Sequence, residues 1–66
     1  MRVQVNGEEQ QLPDTTTVGQ LLDRLGMNPD GVAVAVNLEV VPRGRHAEHV
    51  LVEHDQVELV RAVGGG

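Results

Sequence analysis

The stretch TVGQLLDRLG, Thr17 to Gly26, predicts a short amphipathic helix with a signal at each end. Thr17 and Gln20 fit a capping box, in which each side chain bonds to the backbone N–H of the other residue. The apolar residues have the spacing of one helical face, at Val18, Leu21, Leu22 and Leu25. Gly26 suits the left-handed residue that follows a helix. Because about two and a half turns are too few for a stable isolated helix, this face must pack against a sheet.

Strand patterns on both sides of the helix supply that sheet. Before the helix, residues 1–5 and 8–12 flank Asn6-Gly7, a strong signal for a two-residue hairpin turn. After the helix, the apolar run Val32 to Val36 is typical of a central strand, with its valines toward the helix and its alanines away from it. Further strands are expected at residues 40–41, 49–52 and 56–63.

This order of elements predicts an α+β fold of the β-grasp, or ubiquitin-like, class. One main helix would cover one face of a mixed sheet of four to five strands. A length of 66 residues fits a single domain. We place the β-grasp domain at residues 1–63 and a flexible C-terminal glycine tail at residues 64–66.

Composition argues against several classes of function. The formal net charge is −5 and no residue is aromatic, so the chain repels phosphate backbones and cannot stack on bases, which argues against nucleic acid as a partner. There is no cysteine, so the chain cannot itself hold sulfur or an acyl group on a thiol. The sequence has neither a membrane-length apolar run nor a signal-peptide pattern, so we expect no membrane association and a cytoplasmic location.

The reactive part of the chain is expected at Gly64, Gly65 and Gly66. A carboxylate must be activated before a nucleophile can attack it, and reaction with ATP to give an acyl adenylate is the usual route. The sequence has no phosphate-binding Gly-x-x-x-x-Gly-Lys motif, so we expect a partner to bind the ATP and this chain to hold no cofactor. Three extended glycines reach about 10 Å into a narrow cleft. The alternative is an ordinary frayed terminus.

Three histidines are candidates for a metal site. His46, His49 and His54 have spacings that zinc ligands can adopt. No cysteine accompanies them and their segment is not a predicted helix, so surface or edge histidines are the more usual interpretation and we predict no metal site. No set of nucleophile, base and oxyanion donors can be assembled either, so we predict no catalytic residue.

Four other residues are candidates for a partner interface. Arg43 and Arg45 are either partner contacts or solvated loop residues. Val60 and Ala62 are expected on the sheet face opposite the helix, beside the tail. If nothing covers them, they form an apolar patch where partners bind; the alternative is that the loop at residues 43–48 lies over them.

Beyond these patterns, the sequence resembles the ThiS family, the sulfur carrier proteins of thiamine biosynthesis. The similar features run along the whole chain and are Asn6-Gly7, Thr17-Val18 with Leu21-Leu22, Ala35-Val36-Asn37, Val41-Pro42-Arg43, Ala47, His49, Asp55-Gln56-Val57 and Gly65-Gly66. The resemblance implies that a ThiF-like adenylyltransferase uses ATP to adenylate Gly66. It also implies that a cysteine desulfurase or another sulfur donor system converts the adenylate to a thiocarboxylate. Thiazole synthase, ThiG, would then receive the sulfur.

Two other functions stay open on this evidence. The small subunit of molybdopterin synthase resembles this fold and tail, although those chains tend to be longer and to have bulkier residues before the glycines. A ubiquitin-like protein modifier would join Gly66 to a lysine of another protein. This chain has no lysine of its own, so it could be attached once but could not form chains through lysine side chains.

Overall fold

The computed structural model describes residues 1–61, which form a five-stranded mixed sheet with a helix packed on one face. In chain order the elements are β1 (Arg2–Val5), β2 (Glu8–Gln11), α1 (Val18–Leu25), β3 (Val32–Val36), β4 (Glu39–Val41) and β5 (Gln56–Arg61). Single 3₁₀ turns cover Pro29–Gly31 and Arg43–Arg45. The strand order is β2-β1-β5-β3-β4, in which β1 and β5 are parallel and the other neighbours are antiparallel. This arrangement confirms the predicted β-grasp fold.

The helix begins and ends where its sequence predicts. The backbone N–H of Gln20 donates to the Thr17 hydroxyl at 3.1 Å, and the backbone N–H of Thr17 donates to the Gln20 side chain at 2.9 Å. Gly26 has a φ of 69°, and its N–H donates to carbonyls of the last helical turn. These bonds satisfy backbone groups that a free helix end leaves unpaired.

Two hairpin turns share one backbone conformation. Asn6 and Gly7, between β1 and β2, have φ values of 51° and 84°. Asn37 and Leu38, between β3 and β4, have φ values of 52° and 71°. Two successive residues with positive φ are typical of the type I′ turn, whose twist matches that of the paired strands. The turn at Asn6-Gly7 was predicted; at the second turn a leucine takes a place that favours glycine.

The core lies between α1 and the sheet and consists of valines and leucines. Its buried members are Val3, Val5, Leu12, Val18, Leu21, Leu22, Val34, Val36, Val41, Leu51, Val57 and Leu59. The valines of β3 alternate as predicted: Val34 and Val36 are buried in this cluster, whereas Ala33 is exposed. Because successive side chains of a strand point to opposite faces, the alanines lie on the face that the helix leaves uncovered.

The prediction of a strand at residues 49–52 is wrong. Its one sheet-like contact is an isolated bridge between Thr17 and Val50. The backbone of this segment instead bonds to the residues at the start of the helix. The N–H of Val18 donates to the backbone carbonyl of His49 at 2.9 Å, and the N–H of Leu51 donates to the backbone carbonyl of Thr16 at 2.8 Å. The segment therefore holds the start of α1 in place. The predicted extension of the last strand to residue 63 lies outside the described residues.

Candidate functional site

The last strand occupies the centre of the sheet. β5 pairs with β1 on one side, through Gln4↔Gln56 and Val5↔Val57, and with β3 on the other side as far as Val32↔Arg61. The predicted reactive glycines follow this strand in the sequence. Gly64, Gly65 and Gly66 lie outside the described residues, as does Ala62, so the base of the tail is described up to Arg61.

An apolar patch lies on the sheet face opposite the helix, and we call it the open-face patch. Its members are Ala33, Ala35, Val40 and Val60. Residues directly opposite each other on neighbouring antiparallel strands share a face, and the register pairs Ala33 with Val60 and Ala35 with Val40. Val60 is 64% exposed and Val40 is 76% exposed. Val60 is thus open to solvent, and the loop at residues 43–48 does not cover it.

A carboxylate borders the open-face patch along β5. Glu58 precedes Val60 by two positions and pairs with Ala35, so it lies on the same face. It is exposed. The patch therefore combines an apolar centre with a negative charge on its border, which complements a partner surface with an apolar centre and a basic edge.

The structure places the two candidate arginines on different surfaces. The guanidinium of Arg43 forms an ion pair with Asp30, and that of Arg45 lies 3.2 Å from a carboxylate oxygen of Glu48. Arg45 lines a surface depression together with Val40, next to the open-face patch. Arg43 lines a separate groove between its own loop and α1. Only Arg45 is therefore brought near the patch.

The three histidines do not form a group that could hold a metal ion. His46 is buried, and its Nε2 lies 3.2 Å from the carbonyl oxygen of Val41. Its backbone carbonyl accepts a bond from the N–H of Gly19 at 2.9 Å, which joins the loop after β4 to the helix. His54 is exposed. His46 therefore belongs to the packing of the loop against α1.

The described residues, 1–61, contain neither a cluster of three or more metal-ligating side chains nor a helix that is long and apolar enough to span a membrane.

The sequence patterns gave no indication of two asparagines whose side chains bond to β5. Asn6 accepts from the backbone N–H of Leu59 at 2.8 Å and donates to its carbonyl at 3.2 Å. Asn37 accepts from the N–H of Gln56 at 3.0 Å and donates to the carboxylate of Asp55 at 2.9 Å. The available signal was an asparagine at a tight turn, since its short amide can bond to nearby backbone while its own φ is positive.

Comparison with known proteins identifies the family. A family model described as the ThiS family matches residues 3–66. The sulfur carrier protein ThiS of Escherichia coli (strain K12) is 33% identical over 66 residues, and the match covers 100% of both chains. The chain belongs to the ThiS family. This membership confirms the resemblance seen in the sequence.

A solved ThiS structure has the same fold, and proteins named thiazole synthase contain a similar segment. The crystal structure of the thiamine biosynthesis protein ThiS from Geobacter metallireducens matches with a TM-score of 0.86 and 29% identity, over 100% of both chains. A thiazole synthase of Magnetococcus marinus is 44% identical over 66 residues. The chain spans only 20% of the length of the thiazole synthase relatives, so in them a ThiS-like segment is part of a much longer protein.

Proposed function

We propose that this ThiS-family chain is a sulfur carrier of thiamine biosynthesis, and that it is a protein substrate rather than an enzyme. The group that changes chemically is the carboxylate of Gly66. The observation that supports this proposal most is the full-length match to a sulfur carrier protein. A central strand whose end lies beside an exposed apolar patch is a second support.

The proposed chemistry has two steps at one carboxyl group. In the first, a carboxylate oxygen of Gly66 attacks the α-phosphorus of ATP, and pyrophosphate leaves. In the second, sulfur at the oxidation level of sulfide displaces AMP from the acyl carbon and leaves a thiocarboxylate. A ThiF-like adenylyltransferase would bind the ATP. A cysteine desulfurase, whose persulfide sulfur a thiol reductant brings to the level of sulfide, or another donor system would supply the sulfur. The chain itself would contribute the tail and the surface that docks.

We propose the open-face patch as the docking surface for the enzymes that receive the tail. Val60 is the member closest in sequence to Gly64, Gly65 and Gly66, so a partner that covers Val60 also meets the tail. Removal of this apolar surface from water on docking favours binding. Arg45, at the border of the patch, would lie at the edge of this interface, and Arg43 would lie outside it.

Thiazole synthase, ThiG, is the proposed acceptor of the sulfur. The support is that segments similar to this whole chain occur within proteins named thiazole synthase. A carrier and an acceptor that are joined in one chain remain at high effective concentration. We infer that this chain delivers its sulfur to a thiazole synthase.

The test combines intact-protein mass spectrometry with three variants. Incubation with a ThiF-like enzyme, ATP and a sulfur donor should give a sulfur-for-oxygen mass gain. A chain without Gly65 and Gly66 should fold but show no gain. Val60→Arg should impair conversion, whereas Val52→Arg is the matched control because these valines are similarly exposed, at 64% and 59%.

Three results would contradict the proposal. Conversion of the truncated chain would show that Gly66 is not the modified group. Equal impairment by the two valine variants would remove the open-face patch as the docking surface. Covalent conjugates with other proteins in the protein's own cells, in place of a thiocarboxylate, would favour the ubiquitin-like modifier.

A further inference from the structure

The outer half of β5 has a strand neighbour on only one side. On the β3 side, pairing continues to Val32↔Arg61. On the β1 side, the pairing ends at Val5↔Val57, because the chain then turns at Asn6-Gly7 into β2. Residues 58–61 would therefore lack backbone hydrogen bonds along this side unless another group supplied them.

Asn6 supplies bonds on the unpaired side. Its backbone N–H donates to the carbonyl of Val57 at 2.9 Å. Its side-chain oxygen accepts from the N–H of Leu59 at 2.8 Å, and its side-chain nitrogen donates to the carbonyl of Leu59 at 3.2 Å. One primary amide thus takes the place of the peptide group that a longer β1 would present. The parallel ladder is extended by one residue pair without any further strand.

The turn itself does not require this amide. Asn6 has a φ of 51°, a conformation that glycine adopts at least as readily as asparagine. The side chain that makes both bonds to Leu59 is therefore an addition to the turn. Leu59 is buried in the core and lies two residues before Arg61, where the described chain ends.

We infer that Asn6 is a positioning residue for the reactive tail. Its amide fixes the backbone at Leu59 and so sets the direction in which β5 leaves the sheet toward Gly66. The activating enzyme then meets a tail whose base is already ordered, and less conformational freedom is lost on binding. This inference rests on the proposed function, since it assumes that Gly66 is the group delivered to a partner.

Asn37 provides a matched control within the same chain. Its φ is 52°, and it occupies the equivalent turn position between β3 and β4. Its side chain also makes two hydrogen bonds, to Asp55 and to Gln56 at the start of β5. Asn6→Gly and Asn37→Gly therefore remove similar bonds at opposite ends of one strand, and each keeps a residue that accepts a positive φ.

The first readout is amide hydrogen exchange measured by NMR. In Asn6→Gly, the N–H of Leu59 loses its acceptor, and we expect its exchange to accelerate by about tenfold. We expect the same direction at Val60 and Arg61. In Asn37→Gly, the acceleration should occur at Gln56 instead. If exchange at Leu59 is unchanged in Asn6→Gly, the inference is overturned.

The second readout is ATP-dependent pyrophosphate release by a ThiF-like enzyme, measured as a function of carrier concentration. We expect Asn6→Gly to raise the half-saturating concentration by about tenfold, with the maximal rate nearly unchanged, because the base of the tail must be ordered on binding. Asn37→Gly should stay within about twofold of wild type, since its bonds lie at Asp55 and Gln56, at the opposite end of β5 from Arg61. Equal effects of the two variants would overturn the positioning role.

Two further arms complete the experiment. If Asn6→Gly does not fold, Asn6→Asp takes its place, because aspartate tolerates a positive φ and keeps the acceptor for the N–H of Leu59 while losing the donor to its carbonyl. Wild-type behaviour of Asn6→Asp in both readouts would then overturn the inference. If the wild-type chain is not adenylated at all, the proposed function is wrong, and the role of Asn6 in positioning a reactive tail is wrong with it. Exchange at Leu59 still reports separately whether Asn6 holds β5.

Discussion

Leu38 lies at a turn position that favours glycine, and its replacement by glycine should stabilise the protein. It has a φ of 71° and follows Asn37 in the two-residue turn between β3 and β4. Its side chain is 87% exposed, so the folded state gains little from burying it. We expect Leu38→Gly to raise the free energy of unfolding.

The magnitude follows from two opposing terms. A residue with a Cβ pays roughly 1–2 kcal/mol for the left-handed conformation, which glycine avoids. Glycine loses more backbone entropy on folding, which costs about 0.5–1 kcal/mol. The expected net gain is about 0.5–1 kcal/mol, equivalent to a Tm increase of about 2–8 °C for a domain of this size.

Urea unfolding followed by far-ultraviolet circular dichroism measures this difference, since the chain has no aromatic residue for fluorescence. Leu38→Ala is the control, because it removes the same exposed side chain but keeps the Cβ. Its stability should stay within about 0.5 kcal/mol of wild type. If the free energy of unfolding rose as much in the alanine variant as in the glycine variant, relief of the left-handed backbone conformation would not be the cause. A net loss in Leu38→Gly would refute the reasoning outright.

Two further substitutions test the packing of α1. Gly19→Ala should stabilise the protein by about 0.5–1 kcal/mol in urea unfolding, because alanine favours the helix and its Cβ would meet the carbonyl oxygen of His46 at 3.5 Å, an ordinary contact; a loss of stability would show that the loop cannot accept it. Leu21→Ala should lower the free energy of unfolding by about 2–5 kcal/mol, because Leu21 is fully buried between the helix and the sheet; a loss below about 1 kcal/mol in thermal unfolding would contradict this packing.

Much of the fold could be predicted because its signals are local. The capping box joins Thr17 to Gln20, three positions apart. The apolar residues of the helical face recur within about two turns. The hairpin at Asn6-Gly7 depends on two adjacent residues. The alternation along β3 separates valines from alanines, and the alternation along β5 placed Val60 on the open face. In each case the signal lies in residue types within a few positions of one another.

The prediction of a strand at residues 49–52 failed for the complementary reason. An apolar pattern shows that a segment packs against the core, but not which backbone groups it bonds to. Here the partners are Thr16 and Val18, at the entry of the helix, and the sheet gains no strand. Similarly, the pattern could not show that Arg43 and Arg45, two positions apart, line different surfaces, Arg43 a groove beside α1 and Arg45 a depression next to the open-face patch.

The sequence by itself determined the helix, the first hairpin, the other strands of the sheet and their order, because these depend on residue types within a few positions of one another. Only the tertiary structure decided which groups surround the last strand. The amide of Asn6 bonds to Leu59 across 53 positions of sequence, and Val40 joins Val60 in one patch through the intervening β3. Such contacts depend on how strands are aligned in the sheet, and that alignment results from the packing of the whole core rather than from any one segment.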